Sequence, residues 1–280
     1  MYSKSVQTLK STQKIVRVME LSALGNLKKV RKRAKDAQEY FEAVYLGMKQ
    51  LEHLLDTFTE QLAPDGRTLN IVITSNKGFC GSYNKSIFEE IDKMQPDAFH
   101  DFVVVGKQGN QYLKNKKFNV IDFIDDEISQ IDAAYISRFL TQYVPQILEK
   151  KYIAVNVIYT MYLSPVRFET RNTQVFPQIQ NFYVNEEKLH DHHFLEYDEK
   201  DEYVIKNVIG NHLFAVLYSC LMLSYASEIS LRRITMAEAK KNLDERIAEL
   251  IYVEKKKMRA ADISELIEIV SSSRTLKRGE

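Results

Sequence analysis

The residues best placed to do chemistry are Gly78-Phe-Cys-Gly81-Ser82, which follow the short apolar run Leu69-Asn-Ile-Val-Ile-Thr74 and precede a helical stretch. Backbone amides at such a strand–helix turn can cradle a phosphate. No Gly-Lys-Ser/Thr follows, however, and Gly-x-x-Gly is too short for a dinucleotide fingerprint. The turn therefore reads as structural, with Ser82 as the helix cap. Cys80 at a helix start would have a lowered pKa, but no His or Asp is placed to activate it. His190, Asp191, His192 and His193 lie in a polar stretch without His-x-x-x-His spacing, which reads as a solvated loop rather than a metal site. The acid groups Asp125-Asp126-Glu127 and Asp198–Glu202 read the same way. No catalytic residue, cofactor-binding residue or metal ligand is expected.

The elements that would position these residues are unevenly distributed. All five prolines fall between Pro64 and Pro177, residues 211–278 contain neither Pro nor Gly, and residues 1–63 contain only Gly25 and Gly47. Both ends are thus free to form long helices. Ala23, Leu27, Val30, Ala34, Ala37, Phe41, Val44, Met48, Leu51, Leu55 and Phe58 alternate steps of four and three, the seam of a coiled coil. Extended backwards through Glu20, Val16, Gln13 and Leu9, the seam becomes partly polar. At the other end Met222, Ile229, Met236, Leu243 and Leu250 recur every seven residues; the other seam position is mixed (Tyr225, Arg232, Ala239, Arg246, Val253). A helix from about 203 to 276 would be about 110 Å long, more than one compact domain of this size buries. The simpler alternative is two helices of an ordinary bundle.

The middle alternates strand and helix: strands at 69–74, 102–105, 118–123 and 153–159, helices near 86–94, 108–114 and 130–150, and edge strands within 168–184. This order implies right-handed crossovers and a mostly parallel sheet. The fold class is α/β plus a long coiled coil, with a Rossmann-like α/β domain (64–199) inserted in an antiparallel hairpin of the terminal helices (1–63 and 200–280).

The chain has 280 residues, 45% hydrophobic and 28% charged, with net charge +1. That composition excludes a disordered or fibrous chain. The balance conceals an asymmetry: residues 1–36 hold ten Lys/Arg against two acids. The basic runs Lys28–Arg33 and Lys255–Lys257 would suit phosphate backbone, but the aromatic interleaving of single-strand binders is missing. An acidic protein surface would serve equally. Two distant cysteines point to a reducing compartment. No run of eighteen apolar residues and no signal-peptide core appears, so the chain reads as cytosolic. From residues alone, three readings stand: a mechanical shaft, a coiled-coil scaffold with a basic nucleic-acid-binding arm, and a small α/β enzyme around Gly78–Asn84.

Three stretches carry a resemblance. Ser11-Thr-Gln-Lys-Ile-Val-Arg-Val-Met-Glu-Leu-Ser-Ala-Leu-Gly-Asn-Leu-Lys-Lys29, Ile73-Thr-Ser-Asn-Lys-Gly-Phe-Cys-Gly-Ser-Tyr-Asn84, and Ala226-Ser-Glu228 through Ile263-Ser-Glu-Leu-Ile-Glu-Ile-Val270 are similar, in order, to motifs of the γ subunit of F-type ATP synthase. The resemblance implies a rotor shaft of an F1-type rotary ATPase that passes torque between a catalytic ring of three α and three β subunits and a rotor foot. It implies no enzyme activity on this chain: ATP and Mg would be bound by partner subunits. An epsilon-like subunit and a membrane rotor or another load would join at the foot, one copy of the chain would serve each ring, and no nucleic acid is expected. The complex would sit on the cytoplasmic side, peripheral to the inner face of the cell membrane. Candidate contacts with the ring are Lys14, Arg17, Met19, Met258, Arg259, Ile263, Leu266 and Val270. This sequence departs from the family where Ala239-Lys-Lys-Asn242 replaces Ala-Thr-Asp-Asn. It departs again at Met258, Arg259 and Ile263, where the family has polar Arg, Gln and Thr. A divergent member is one reading of these changes; the shaft of an F1-like motor that drives motility rather than proton flow is the alternative. A shaft turning in a sleeve is further expected to avoid a large apolar collar.

Overall fold

The computed structural model describes residues 4–49, 66–177 and 202–276. The expected seam positions Leu51, Leu55 and Phe58, the histidine cluster, residues 198–201 of the second acid group and residues 178–184 lie outside the described residues. The elements are helix α1 (Lys4–Lys49), strand β1 (Arg67–Ile73), α2 (Tyr83–Met94), β2 (His100–Val105), α3 (Lys107–Asn115) and β3 (Asn119–Ile124). They continue with α4 (Ala133–Leu148), β4 (Tyr152–Ser164), β5 (Arg167–Phe176) and α5 (Glu202–Leu276). A single 3-10 turn, Ile128–Gln130, precedes α4. By their contacts the residues fall into two compact units, one from Met1–Ser22 and Arg233–Glu280, the other Ala23–Arg232.

The larger unit is built on a five-stranded sheet in the order β3-β2-β1-β4-β5. The first four strands are parallel, with Ile71 opposite Val103 on one side and Val157 on the other; β5 runs antiparallel to β4. Both faces of this sheet are covered, and the strands accordingly read as nearly continuous apolar runs. One face (Val72, Phe102, Val104, Ile158) packs on Tyr83, Ile87 and Ile91 of α2 and Leu113 of α3. The other (Ile71, Ile73, Val103, Val157, Tyr159) packs on α4 and on the parts of α1 and α5 in this unit. Helix α5 is buried around most of its circumference there, including Leu213, Val216, Cys220, Leu221 and Leu223. It contains the stretch that, by length and apolarity, would suffice to cross a membrane, and most of that stretch is buried inside the fold.

The N-terminal ends of the strands are tied by a buried carboxylate. Asp101 on β2 accepts from Arg67 Nε on β1 (2.8 Å), Asn119 Nδ2 on β3 (2.6 Å) and the Tyr152 hydroxyl on β4 (3.1 Å). Burial opposes its charge, but these donors and the adjacent guanidinium outweigh burial and hold the carboxyl below its usual range. One side chain thus fixes four strands at one end.

The seam of α1 is visible as burial: Ala23, Leu27, Val30, Ala34, Ala37 and Phe41 are buried, and Val44 packs against the same core. Met48 lies in the helix, where its side chain is outside the described set. Val6, one further step back along the seam, is also buried. On α5, Met222, Ile229 and Met236 are buried, whereas Leu243 and Leu250 are half-buried and Ile247 takes the buried place near them. The strict seven-residue series drifts off the buried stripe because a straight helix repeats at 3.6 residues rather than 3.5.

His212, inside α5, is wholly enclosed and hydrogen-bonds through Nε2 to the Val175 carbonyl at 2.9 Å. Burial lowers its pKa to about 4. The unfolded chain takes up this proton near pH 6.5 and the folded chain does not, so stability is lost as pH falls from about 6.5 to 4. The loss is about 3 kcal/mol in total. Urea unfolding at pH 7.0, 5.5 and 4.5 should show that slope. In His212→Gln, which keeps a donor for Val175, this contribution to the slope should disappear.

Candidate functional site

The strand–helix turn is closed by its own side chains. Asn84, in the first turn of α2, accepts from the Ser75 amide through Oδ1 (3.1 Å) and donates through Nδ2 to Ser75 Oγ (2.7 Å). Asn76 Oδ1 accepts from the Lys107 amide that opens α3 (2.8 Å), and its Nδ2 donates to the Asp125 carbonyl (2.8 Å). Lys77 pairs with Glu127 at 2.5 Å. These side chains join β1, α2, α3 and the loop after β3. Two expectations are corrected. Ser82 occupies the cap position in helical geometry and makes no side-chain cap bond; Asn84 and Ser75 organise the turn instead. Cys80 is buried, and burial pushes its thiol up rather than down. Gly81 and Phe79 both adopt left-handed backbone (φ 60° and 61°). For the phenylalanine this conformation costs about 1–2 kcal/mol, and its ring is 69% exposed.

Helix α5 touches this turn through a buried charge. Arg232 Nη2 lies 2.6 Å from Glu228 Oε1 and 3.4 Å from the Lys77 carbonyl. Burial pushes the Glu228 carboxyl up, against the pull of Arg232. Among the described residues no group of three His, Cys, Asp or Glu side chains could hold a metal ion.

In the smaller unit the two helix ends run antiparallel. Gln13 Nε2 donates to Asp244 Oδ1, and Lys240 Nζ lies 3.3 Å from Glu20 Oε2. The polar start of the α1 seam thus meets polar partners on α5. Lys14 and Arg17 are exposed and Met19 is half-buried; Met258, Arg259, Ile263, Leu266 and Val270 are all exposed. The last described stretch of α5 is exposed on every side from Lys255 to Val270. Within it Met258, Ile263, Leu266 and Val270 are between 52% and 61% exposed. This end therefore carries exposed apolar side chains. Apolar contact is non-directional, so such a surface can slide against an apolar wall without breaking hydrogen bonds.

A family model described as ATP synthase matches residues 2–276. The chain belongs to the ATP synthase gamma family. The gamma chain of Halothermothrix orenii is 26% identical over 98% of this chain and 97% of its own length. That of Mycoplasma mobile is 27% identical, again over 98% and 97%. Among solved structures, a chain of the Euglena gracilis mitochondrial ATP synthase (OSCP/F1/c-ring, rotational state 3) superposes with TM-score 0.71 at 14% identity, over 99% of this chain and 93% of that one. A chain of the Tetrahymena thermophila central stalk and c-ring gives 0.59 at 20% identity, over 80% and 99%. These likenesses share the fold. As a gamma subunit, the protein is the central shaft of a rotary ATPase and a non-catalytic part of that complex, which is peripheral to the membrane.

Leu243 is half-buried inside α5 within the paired ends. Leu243→Pro removes a backbone hydrogen bond and kinks the helix at a cost of about 3 kcal/mol or more. ATP hydrolysis coupled to work in the assembled complex should fall several-fold. Assays of the reconstituted complex check this, and unchanged coupling would mean that the helix carries no force.

Proposed function

We propose that the gamma subunit turns with the exposed end of α5 inside a ring of three α and three β subunits, one copy to each ring. The single observation behind this reading is the exposed apolar stretch Met258–Val270, a surface suited to a smooth apolar sleeve. Lys14 and Arg17, exposed on α1, are suited to weak attraction to acidic loops of that ring. Exposed pairs of this kind contribute only about 0–1 kcal/mol each, so partners can be exchanged as the shaft turns. Met19, half-buried, would contribute its outer edge, and Arg259 a polar contact. ATP and Mg are held by the ring, not by this chain, and the asymmetry of the shaft makes the ring's sites unequal in turn. Torque leaves through the α/β unit to an epsilon-like subunit and a membrane rotor or another load. The complex works on the cytoplasmic side, at the inner face of the cell membrane. No nucleic-acid partner is required, and the basic runs on α1 and α5 are assigned to protein contacts.

Replacing Ile263 and Leu266 together by Asp tests the sleeve. Both are exposed, so the isolated chain should lose no more than about 1 kcal/mol, whereas the reconstituted complex should lose most of its ATPase or fail to assemble. Full activity of the double variant would refute the contact. Calorimetry of the isolated chain with Mg-ATP should register no binding at micromolar concentrations; stoichiometric binding would contradict the assignment of nucleotide to the ring.

A further inference from the structure

Strand β4 outruns its neighbour: its pairing with β1 ends at Val72 and Ile158. Two residues on, Thr160 meets helix α5 instead. The Thr160 amide donates to Ser224 Oγ at 3.4 Å, and Ser227 Oγ donates to the Thr160 carbonyl at 3.0 Å while sharing its proton with the Leu223 carbonyl at 2.9 Å. Ser224 Oγ also lies 2.6 Å from the Tyr83 hydroxyl, which donates to the Ile73 carbonyl at 3.4 Å. These contacts link the Thr160 amide through Ser224 and Tyr83 to the last residue of β1, with either hydroxyl able to donate in the Ser224–Tyr83 bond. Ser224, Ser227, Thr160 and Tyr83 are all buried. Two serines three residues apart on a helix thus stand in for the strand that β1 does not continue.

The apolar contacts around this point are non-directional and would tolerate small slips. The serine bonds would not: a one-residue shift of a helix moves a side chain by about 1.5 Å and turns it by about 100°. We infer that Ser224 and Ser227 are positioning residues that key α5 to the sheet, so that torque passes between helix and sheet without sliding or rolling. The inference rests on the shaft role.

The test uses the complete rotary complex, with the ring immobilised and a bead attached through α2 of this subunit. Ser224→Ala/Ser227→Ala should leave unloaded ATPase within about twofold of the unaltered complex while at least halving the torque measured against high drag. Ser227→Thr, which keeps the hydroxyl, should restore most of the torque when paired with native Ser224. Tyr83→Phe, a milder change that breaks the chain at its middle, should give an intermediate torque. Hydrogen exchange at the Thr160 amide should speed up at least tenfold in the double variant. Undiminished torque, torque lost only in proportion to ATPase, or unchanged exchange at Thr160 would overturn the keyed joint. Failure of the unaltered complex to turn the bead would instead overturn the shaft role on which it rests.

Discussion

Helix α5 must be two things along one unbroken ladder of backbone hydrogen bonds. In its middle, between Ile209 and Met236, it is a core helix, apolar around most of its circumference and packed against a sheet. Beyond Lys255 it is exposed on every side. This sequence meets both demands with no Gly or Pro in residues 211–278. Such a helix has no single amphipathic face, because the environment it answers to changes along its length. The other elements are arranged around that constraint. α1 supplies a seam of Ala, Val, Leu and Phe that covers one side of it, and the sheet and α4 cover others.

Burying so much helix beside a sheet leaves polar groups that need partners, and the structure meets them with single side chains doing several jobs. Asp101 gathers Arg67, Asn119 and Tyr152 at the N-terminal ends of four strands. Asn84 and Asn76 close the turn after β1. At the far end of β4, Ser224 and Ser227 take up the peptide groups of Thr160. In a buried setting an unsatisfied peptide group costs about 1–3 kcal/mol, so each of these side chains also selects one arrangement of its neighbours over slipped alternatives. In the turn that most resembles a ligand-binding loop, the side chains of Ser75, Asn76 and Asn84 are committed to this task.

Much of this was legible in the sequence because it is periodic. The α1 seam from Ala23 to Phe41 follows steps of three and four and is buried as those steps require. The strands stood out as apolar runs because a parallel sheet covered on both faces demands them. Features that rest on tertiary partners did not stand out. Ser224 and Ser227 look like unremarkable helix serines until Thr160 is placed beside them. The edge strand expected within 168–184 is β5, but its antiparallel pairing, which accompanies β4 out to Ser164, depends on a tertiary partner that local composition does not name. Ser82 satisfies the local rule for a cap, yet Asn84 organises the turn. Cys80 lies beside a helix start, but burial raises its pKa. Ile247 takes the buried place near Leu243 because the helix keeps its natural pitch where a seven-residue count would not.

This chain is a shaft, and a shaft must turn. The most direct test is to fix the α and β ring to a surface, label the α/β unit of this subunit with a fluorescent probe of fixed orientation, and follow polarisation as Mg-ATP is added. Stepwise rotation in one direction, at a rate set by ATP, is expected. Sustained ATP hydrolysis by labelled complexes whose probe stays still would contradict it.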